Sequence, residues 1–243
     1  MIRSIDTLNR NMNILQKKQE SVSTNIANTN TPGYKYQQVV QTTLENHTLV
    51  NYTGGNGEQR RELGSWTFGN RVDEIATSQT QGTIVETEDP LDFAIPGEGF
   101  FVLNLTSGER AYTRNGNFVL DQENRLSTME GHQVVGQGPD GAESAIVLGT
   151  EGELLNGVRP LTAVFPEGTE LERMGDTLFL DPAGAAQPGA SEPIRGFLEM
   201  SNVIVADEMV RLIQIAREFE ANQKALQTSE DTLNKAVNEI GRV

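Results

Sequence analysis

The stretch VIVADEMVRLIQIAREFEANQKALQTSEDTLNKAVNEI, residues 203–240, contains neither proline nor glycine. Within it Val205, Met209, Leu212, Ala216, Phe219, Gln223, Leu226, Glu230, Leu233, Val237 and Ile240 fall at alternating steps of four and three. That spacing lays a narrow, mostly apolar stripe along a helix that coils around a partner. About 38 helical residues at 1.5 Å each would reach roughly 57 Å, far beyond the 10 to 14 residues usual in a globular domain. Ser201 or Asn202 is placed to cap it, and Asp207 and Glu208 suit the positive end of its dipole. Ile213 and Ile215 broaden the stripe in its first half. Gln223 and Glu230 interrupt it, and a carboxylate at Glu230 needs a basic partner or an opening to water.

The other end of the chain repeats the pattern. Met1, Ile5, Leu8, Met12, Leu15, Gln19, Val22 and Ile26 take the same steps, up to Asn28-Thr29-Asn30-Thr31-Pro32-Gly33-Tyr34. Pro32 disfavours helix at Thr31 and Gly33 permits positive φ, so a stop and a turn are expected there. A long helix with only a seam-wide stripe buries too little by itself to offset its ordering entropy. The two ends are therefore expected to pair with each other and with neighbours, and to be largely disordered in a monomer.

Of the net charge of −15, residues 1–35 carry +3 and residues 201–243 carry −2, which leaves −16 for the middle. Such a field repels nucleic acid and anionic lipid. Residues 35–81 read as an extended, loop-rich connector, with a loop at Asn51 to Glu58 and hints of a strand or two at Trp66, Phe68, Val72 and Ile75. Residues 82–200 read as β. Leu91, Phe93 and Ile95 alternate, Pro96-Gly97-Glu98-Gly99 turns the chain into Phe100 to Leu103, and Asn115-Gly116 is a hairpin signal between Arg110–Arg114 and Asn117–Leu120. Asp121 to Asn124, Gly131, Pro139-Asp140-Gly141 and Gly149 to Gly152 punctuate further short strands. The fold expected is α+β, with a mainly-β central barrel or sandwich-like domain at 82–200. Long helices in 1–34 and 201–243 flank it and pair as a coiled coil.

Catalysis finds no constellation. There is no cysteine, and His47 and His132 are the only imidazoles. Gly136-Gln137-Gly138-Pro139-Asp140-Gly141 matches G-x-G-x-x-G, but Pro-Asp-Gly leads into a strand where a dinucleotide site requires a helix. Glu86, Glu88, Asp89 and Asp92 are available as paired carboxylates for a cell-wall hydrolase, yet among 34 acidic residues such clusters arise freely. No cofactor or metal site is expected. No apolar run approaches the roughly 20 residues of a membrane span, and the first residues lack the layout of a cleaved signal peptide.

Ser23-Thr24-Asn25-Ile26-Ala27-Asn28 with Thr31-Pro32-Gly33-Tyr34-Lys35 resembles the N-terminal signature of the bacterial flagellar rod and hook proteins. Glu199 to Val203, Glu208-Met209-Val210 and Ala216 to Lys224 resemble that family's C-terminal signature, with Phe219 where relatives often carry Tyr. The middle is similar too, at Asp89 to Ile95, Gly97, Gly99 to Phe101 and Tyr112 to Phe118. The resemblance implies a structural subunit of the basal-body rod, proximal or distal, with no enzymatic activity. It implies export without a cleaved signal through the flagellar export apparatus, and helical self-assembly into a shaft that turns the hook. Implied partners are copies of itself, other rod and hook subunits, and basal-body ring proteins, with neither nucleic acid nor membrane insertion. Assembly contacts are expected from Ile5, Leu8, Met12, Leu15, Val22, Asn25, Ile26, Asn28, Pro32, Gly33, Tyr34, Met209, Leu212, Ala216, Phe219, Leu226, Leu233, Val237 and Ile240. The alternatives are a hook subunit, although the β middle has room for one small domain only, and a closed coiled-coil oligomer such as a surface adhesin.

Overall fold

The computed structural model describes residues 2–52, 60–67, 69–149, 157–166 and 168–240. Met1, the loop residues Thr53 to Glu58, Phe68 and Gly152 lie outside the described residues, as do the side chains of Trp66 and Ile240. The architecture is α+β, with a helix at each end of the chain and a mainly-β region between them. The chain divides into two compact units.

One unit gathers residues 1–26, 37–78 and 205–243. Its helices are α1, Ile2–Ala27, and α2, Val205–Ile240. Neither expected cap closes α2. The Ser201 hydroxyl accepts from Val203 N at 3.3 Å, and the Asn202 side chain is committed elsewhere. Asp207 and Glu208 do occupy the first turn. Residues 35–81 depart from the loop-rich connector: β1 (Gln37–Thr43) pairs antiparallel with β4 (Asn70–Thr77), and β2 (Asn46–Tyr52) with β3 (Arg60–Thr67). Each ladder slips register once, at Val40/Gln41 and at Leu49/Val50. Only Val39 is buried in the described side chains of these strands. With both faces largely wet, no period-two alternation marks the strands in the sequence.

The second unit gathers residues 27–36 and 79–204. Its strands are β5 (Ile84–Glu86), β6 (Phe93–Ala94), β7 (Phe100–Asn104), β8 (Arg110–Thr113), β9 (Val119–Leu120), β10 (Leu126–Ser127), β11 (Gln133–Gln137), β12 (Glu143–Ala145), β13 (Arg159–Pro160), β14 (Thr162–Val164), β15 (Glu172–Met174), β16 (Leu178–Leu180), β17 (Gln187–Pro188), β18 (Ile194–Arg195) and β19 (Phe197–Glu199). The main sheet runs β15-β16-β8-β7-β11-β10-β9, with β12 and β13 on β11 and β14 joining β7 to β17. Among the described residues this path does not close on itself. Strand alternation divides β7 between two cores. Phe101 and Leu103 join Phe93, Phe118, Leu126 and Ile146, whereas Phe100 and Val102 join Tyr112, Val135 and Phe179.

The hairpin expected at Asn115-Gly116 does not form, since β8 pairs with β7 and β16 while β9 pairs with β10. Glycine serves close approach there: a Cβ on Gly116 would lie 1.7 Å from the Phe93 carbonyl oxygen, and Phe93 N donates to Gly116 O at 3.0 Å. The turn at Pro139-Asp140-Gly141 does form, closed by Gly141 N to Gly138 O at 2.9 Å, and it links β11 to β12. The G-x-G-x-x-G match therefore lies in a β-hairpin.

Candidate assembly surfaces

The site begins where α1 and α2 touch. Leu15, Val22 and Ile215 form a buried cluster, with Ile26, Leu212 and Phe219 packed against it. Five of these six residues carry the stripe spacing, and Ile215 is the addition. Ile5, Leu8 and Met12 are half-buried and stand outside the cluster, as do Leu226 and Leu233. Gln19, expected in the seam, is exposed.

Half of the α2 stripe is displaced by one residue. The covered positions are Val205, Glu208, Leu212, Ile215, Phe219, Asn222, Leu226, Ser229, Leu233 and Ala236, again at steps of three and four. Met209 and Val237 are instead 52% and 65% exposed, and Ala216, Gln223 and Glu230 are exposed with them. Glu230 accordingly meets water, and the carboxylate in the seam is Glu208.

Asn25 holds that carboxylate. Its Nδ2 donates to Glu208 Oε2 at 2.9 Å and to Gln37 O at 2.8 Å, and its Oδ1 accepts Gln37 N at 3.0 Å. Glu208 Oε1 accepts from Arg211 Nη1 at 3.2 Å. Both Asn25 and Glu208 are buried with their hydrogen bonds made, which is what keeps buried polar groups tolerable.

Asn28, Pro32, Gly33 and Tyr34 belong in the other unit's territory. Thr31 N donates to Asn28 O at 3.2 Å, and Thr31 Oγ1 to Asn28 Oδ1 at 2.9 Å, turning the chain after α1. Pro32 is half-buried. Gly33 has φ +70, donates its N–H to Glu199 O at 2.7 Å, and leaves no room for a Cβ, which would stand 2.2 Å from Asn115 N. Tyr34 is wholly buried, its ring 4.7 Å from the Arg173 guanidinium carbon.

Beside them lies a buried ion cluster that no spacing announced. Glu199 Oε1 accepts from Lys35 Nζ at 2.6 Å and from Gly82 N at 2.9 Å, and Glu199 Oε2 accepts from Arg114 Nη1 at 3.1 Å. Lys35 and Glu199 are 1% exposed and Arg114 is 4% exposed. Burial lowers the pKa of Lys35 and of Arg114, with Glu199 pulling each back up. Lys35 Nζ also reaches Thr80 O at 2.8 Å, Asn202 Oδ1 accepts Tyr36 N at 2.7 Å, and Asn202 Nδ2 reaches Thr80 O at 2.9 Å. The segments that follow α1 and precede α2 are thus tied to each other within the β unit.

The carboxylates offered for hydrolysis do not converge. Asp92 is buried and accepts from Asn117 Nδ2 at 2.9 Å, Asp89 Oδ1 accepts Leu91 N at 2.9 Å, and Glu86 and Glu88 are exposed. Among the described residues no cluster of His, Asp and Glu suits a metal ion, and no helix is long and apolar enough to cross a membrane.

Family models match three parts of the chain. Residues 5–35 match the flagella basal body rod protein model, residues 94–156 the flagellar hook protein FlgE/F/G D1 domain, and residues 194–239 the flagellar basal body rod FlgEFG protein C-terminal model. The flagellar basal-body rod protein FlgG of Bacillus subtilis is 31% identical over 98% of this chain and 99% of its own. That of Buchnera aphidicola from Acyrthosiphon pisum is 32% identical over 95% and 94%. FlgF of Caulobacter vibrioides, also a basal-body rod protein, is 29% identical over 94% of each. The hook alternative is not favoured, because these near full-length relatives are rod proteins. The chain belongs to the flagellar basal-body rod protein family, and it is a structural rod subunit of the flagellar basal body, not an enzyme.

Proposed function

We propose that the chain polymerises through its terminal helices into the axial shaft of the rod, which transmits torque to the hook. Residues 1–34 and 201–243 act as two halves of one terminal helical domain paired as a coiled coil. Residues 35–81 connect it to a sandwich-like body at 82–200. Neighbours are copies of the chain, other rod subunits and hook subunits, with basal-body ring proteins as the bushing. The subunit reaches its place unfolded, through the flagellar export apparatus.

One observation carries this reading. The 26-residue α1 is matched against the 36-residue α2, so about 15 Å of α2 extends past what α1 can cover. Among the described residues, the apolar cluster between them involves six side chains. A seam that small stabilises a helix pair only when further helices complete it, and contacts that repeat head to tail without closing give a filament.

The test is concentration-dependent sedimentation of the purified chain beside a Leu212→Asp, Phe219→Asp double variant. The wild type should form fibres and the variant should stay monomeric with its β unit folded. Unchanged polymerisation of the variant refutes the role of the seam. A discrete oligomer whose size ignores concentration would return the chain to the closed-bundle alternative.

A further inference from the structure

The phase of α2 leaves a second apolar face turned outward. Two columns can complete the seam begun by Val205, Leu212, Phe219, Leu226 and Leu233. One lies three residues on, at Glu208, Ile215, Asn222, Ser229 and Ala236; the other lies four on, at Met209, Ala216, Gln223, Glu230 and Val237. Apolar content does not select the first, which nonetheless is the covered one. The Asn25–Glu208 hydrogen bond supplies the selection, because turning the other column inward would carry the Glu208 carboxylate away from Asn25 on α1. A buried polar pair that fixes helix register at some cost in stability is a known device of paired helices.

What this rotation turns outward is a compact patch. Ala206, Met209, Val210, Ile213 and Ala216 share one face of the first three turns of α2, and Met209, Val210 and Ile213 are 52%, 54% and 54% exposed. Arg217 and Glu220 end the patch on that face. Deepening the assembly proposed above, on which it rests, we infer that this patch receives the first half of α1 from a second copy of the chain.

Charge and partly uncovered apolar surface both point to α1 as the occupant. α2 carries four basic and seven acidic residues, so a second α2 would meet its own sign; α1 carries four basic and two acidic. On α1, Ile5, Leu8 and Met12 are half-buried and lie outside the cluster formed by Leu15, Val22 and Ile26. They present the stripe spacing that a helix face of this kind accepts. Asn25 and Glu208 then act as a rotational lock that separates the contact within a subunit from the contact between subunits.

The absence of cysteine makes the test direct. Chains with Ile213→Cys are mixed with chains with Leu8→Cys, allowed to assemble, and oxidised. A disulfide-linked pair of unlike chains is expected from the assembled fraction. In parallel, Met209→Gln with Ile213→Gln should raise the concentration needed for polymer at least tenfold, a change of about 1.4 kcal/mol. It should leave the monomer's unfolding midpoint in place, since both side chains are more than half exposed there. Polymer that forms at the wild-type concentration from the glutamine variant, or that shows no unlike pair, overturns the inference and leaves the assembly reading standing. Linkage of Ile213→Cys chains only among themselves overturns α1 as the occupant. If the wild type forms no polymer, the assembly reading fails and takes this inference with it.

Discussion

Replacing Glu199 by glutamine separates a charge effect from a shape effect inside the β unit. The carboxylate bridges two buried cations, 2.6 Å from Lys35 Nζ and 3.1 Å from Arg114 Nη1. Glutamine keeps the size but removes the charge, and its amide NH₂ must face one of two cationic donors. Leaving buried charge uncompensated costs about 3–5 kcal/mol, a large share of the 5–15 kcal/mol that holds a domain together. With an m-value near 2 kcal/mol per molar, the urea midpoint of the β unit should fall by about 2 M. Lys35→Met should cost less, about 1–3 kcal/mol, because Glu199 loses the lysine but keeps Arg114 and Gly82 N, and the Thr80 carbonyl loses the lysine but keeps Asn202 Nδ2. The assay is hydrogen exchange at Phe100–Asn104 through a urea series, which reports the β unit separately from the helices. Equal losses for the two variants, or a loss below about 1 kcal/mol for glutamine, would refute an electrostatic role for Glu199.

Three further outcomes follow from the same geometry. Burial holds the Lys35 pKa below 10.5, so between the lowered value and 10.5 the unfolded chain binds more protons than the folded one. Stability of the β unit should therefore rise with pH across that alkaline window, with the full cost of burying the charge present below it, and Lys35→Met should flatten the rise in a pH series of urea melts. Gly33→Ala forces a Cβ to 2.2 Å from Asn115 N at φ +70, and should destabilise by more than about 2 kcal/mol, read from the same melts. Asn25→Ala strips Glu208 of its α1 partner while Arg211 remains, and should cost assembled fibres about 1–3 kcal/mol in dissociation by dilution.

How far the residues alone could be read depended on whether a local cause set the structure. α1 and α2 were visible because a four-three stripe and a Pro-Gly stop act within a few turns, and Pro139-Asp140-Gly141 was visible because a turn is closed by its own residues. The phase of α2 was hidden: two columns offer the same spacing, and Asn25, more than 180 residues away in sequence, decides between them. Asn115-Gly116 misled because its glycine answers a tertiary need, the approach of Phe93, and not a positive φ. The ladders of residues 37–77 gave little signal because neither face is buried enough to impose alternation. The cluster of Lys35, Arg114 and Glu199 was not legible, since nothing in their separate neighbourhoods shows that the fold will bring them together in its interior.

The ion cluster also moves a boundary that matters for assembly. From the sequence, disorder in the monomer was expected to reach through residue 34. Yet Gly33 is fixed to Glu199 O, Tyr34 and Lys35 are buried, and Tyr36 N bonds Asn202, all within the β unit. These contacts need nothing from the helix seam, so the segments that lead out of α1 and into α2 should stay clamped when the helices themselves are unpaired. Two helices tethered at neighbouring roots face only a short loop-closure cost on pairing, which makes the hairpin of helices quick to form once a neighbour supplies its missing contacts. Hydrogen exchange on the dilute monomer should then show fast amides over residues 5–26 and 210–238, but protection at 33–36 and 198–202 equal to that of the β core. Fast exchange at 33–36 would mean that the clamp closes only on assembly, and that the β unit folds without its helix roots.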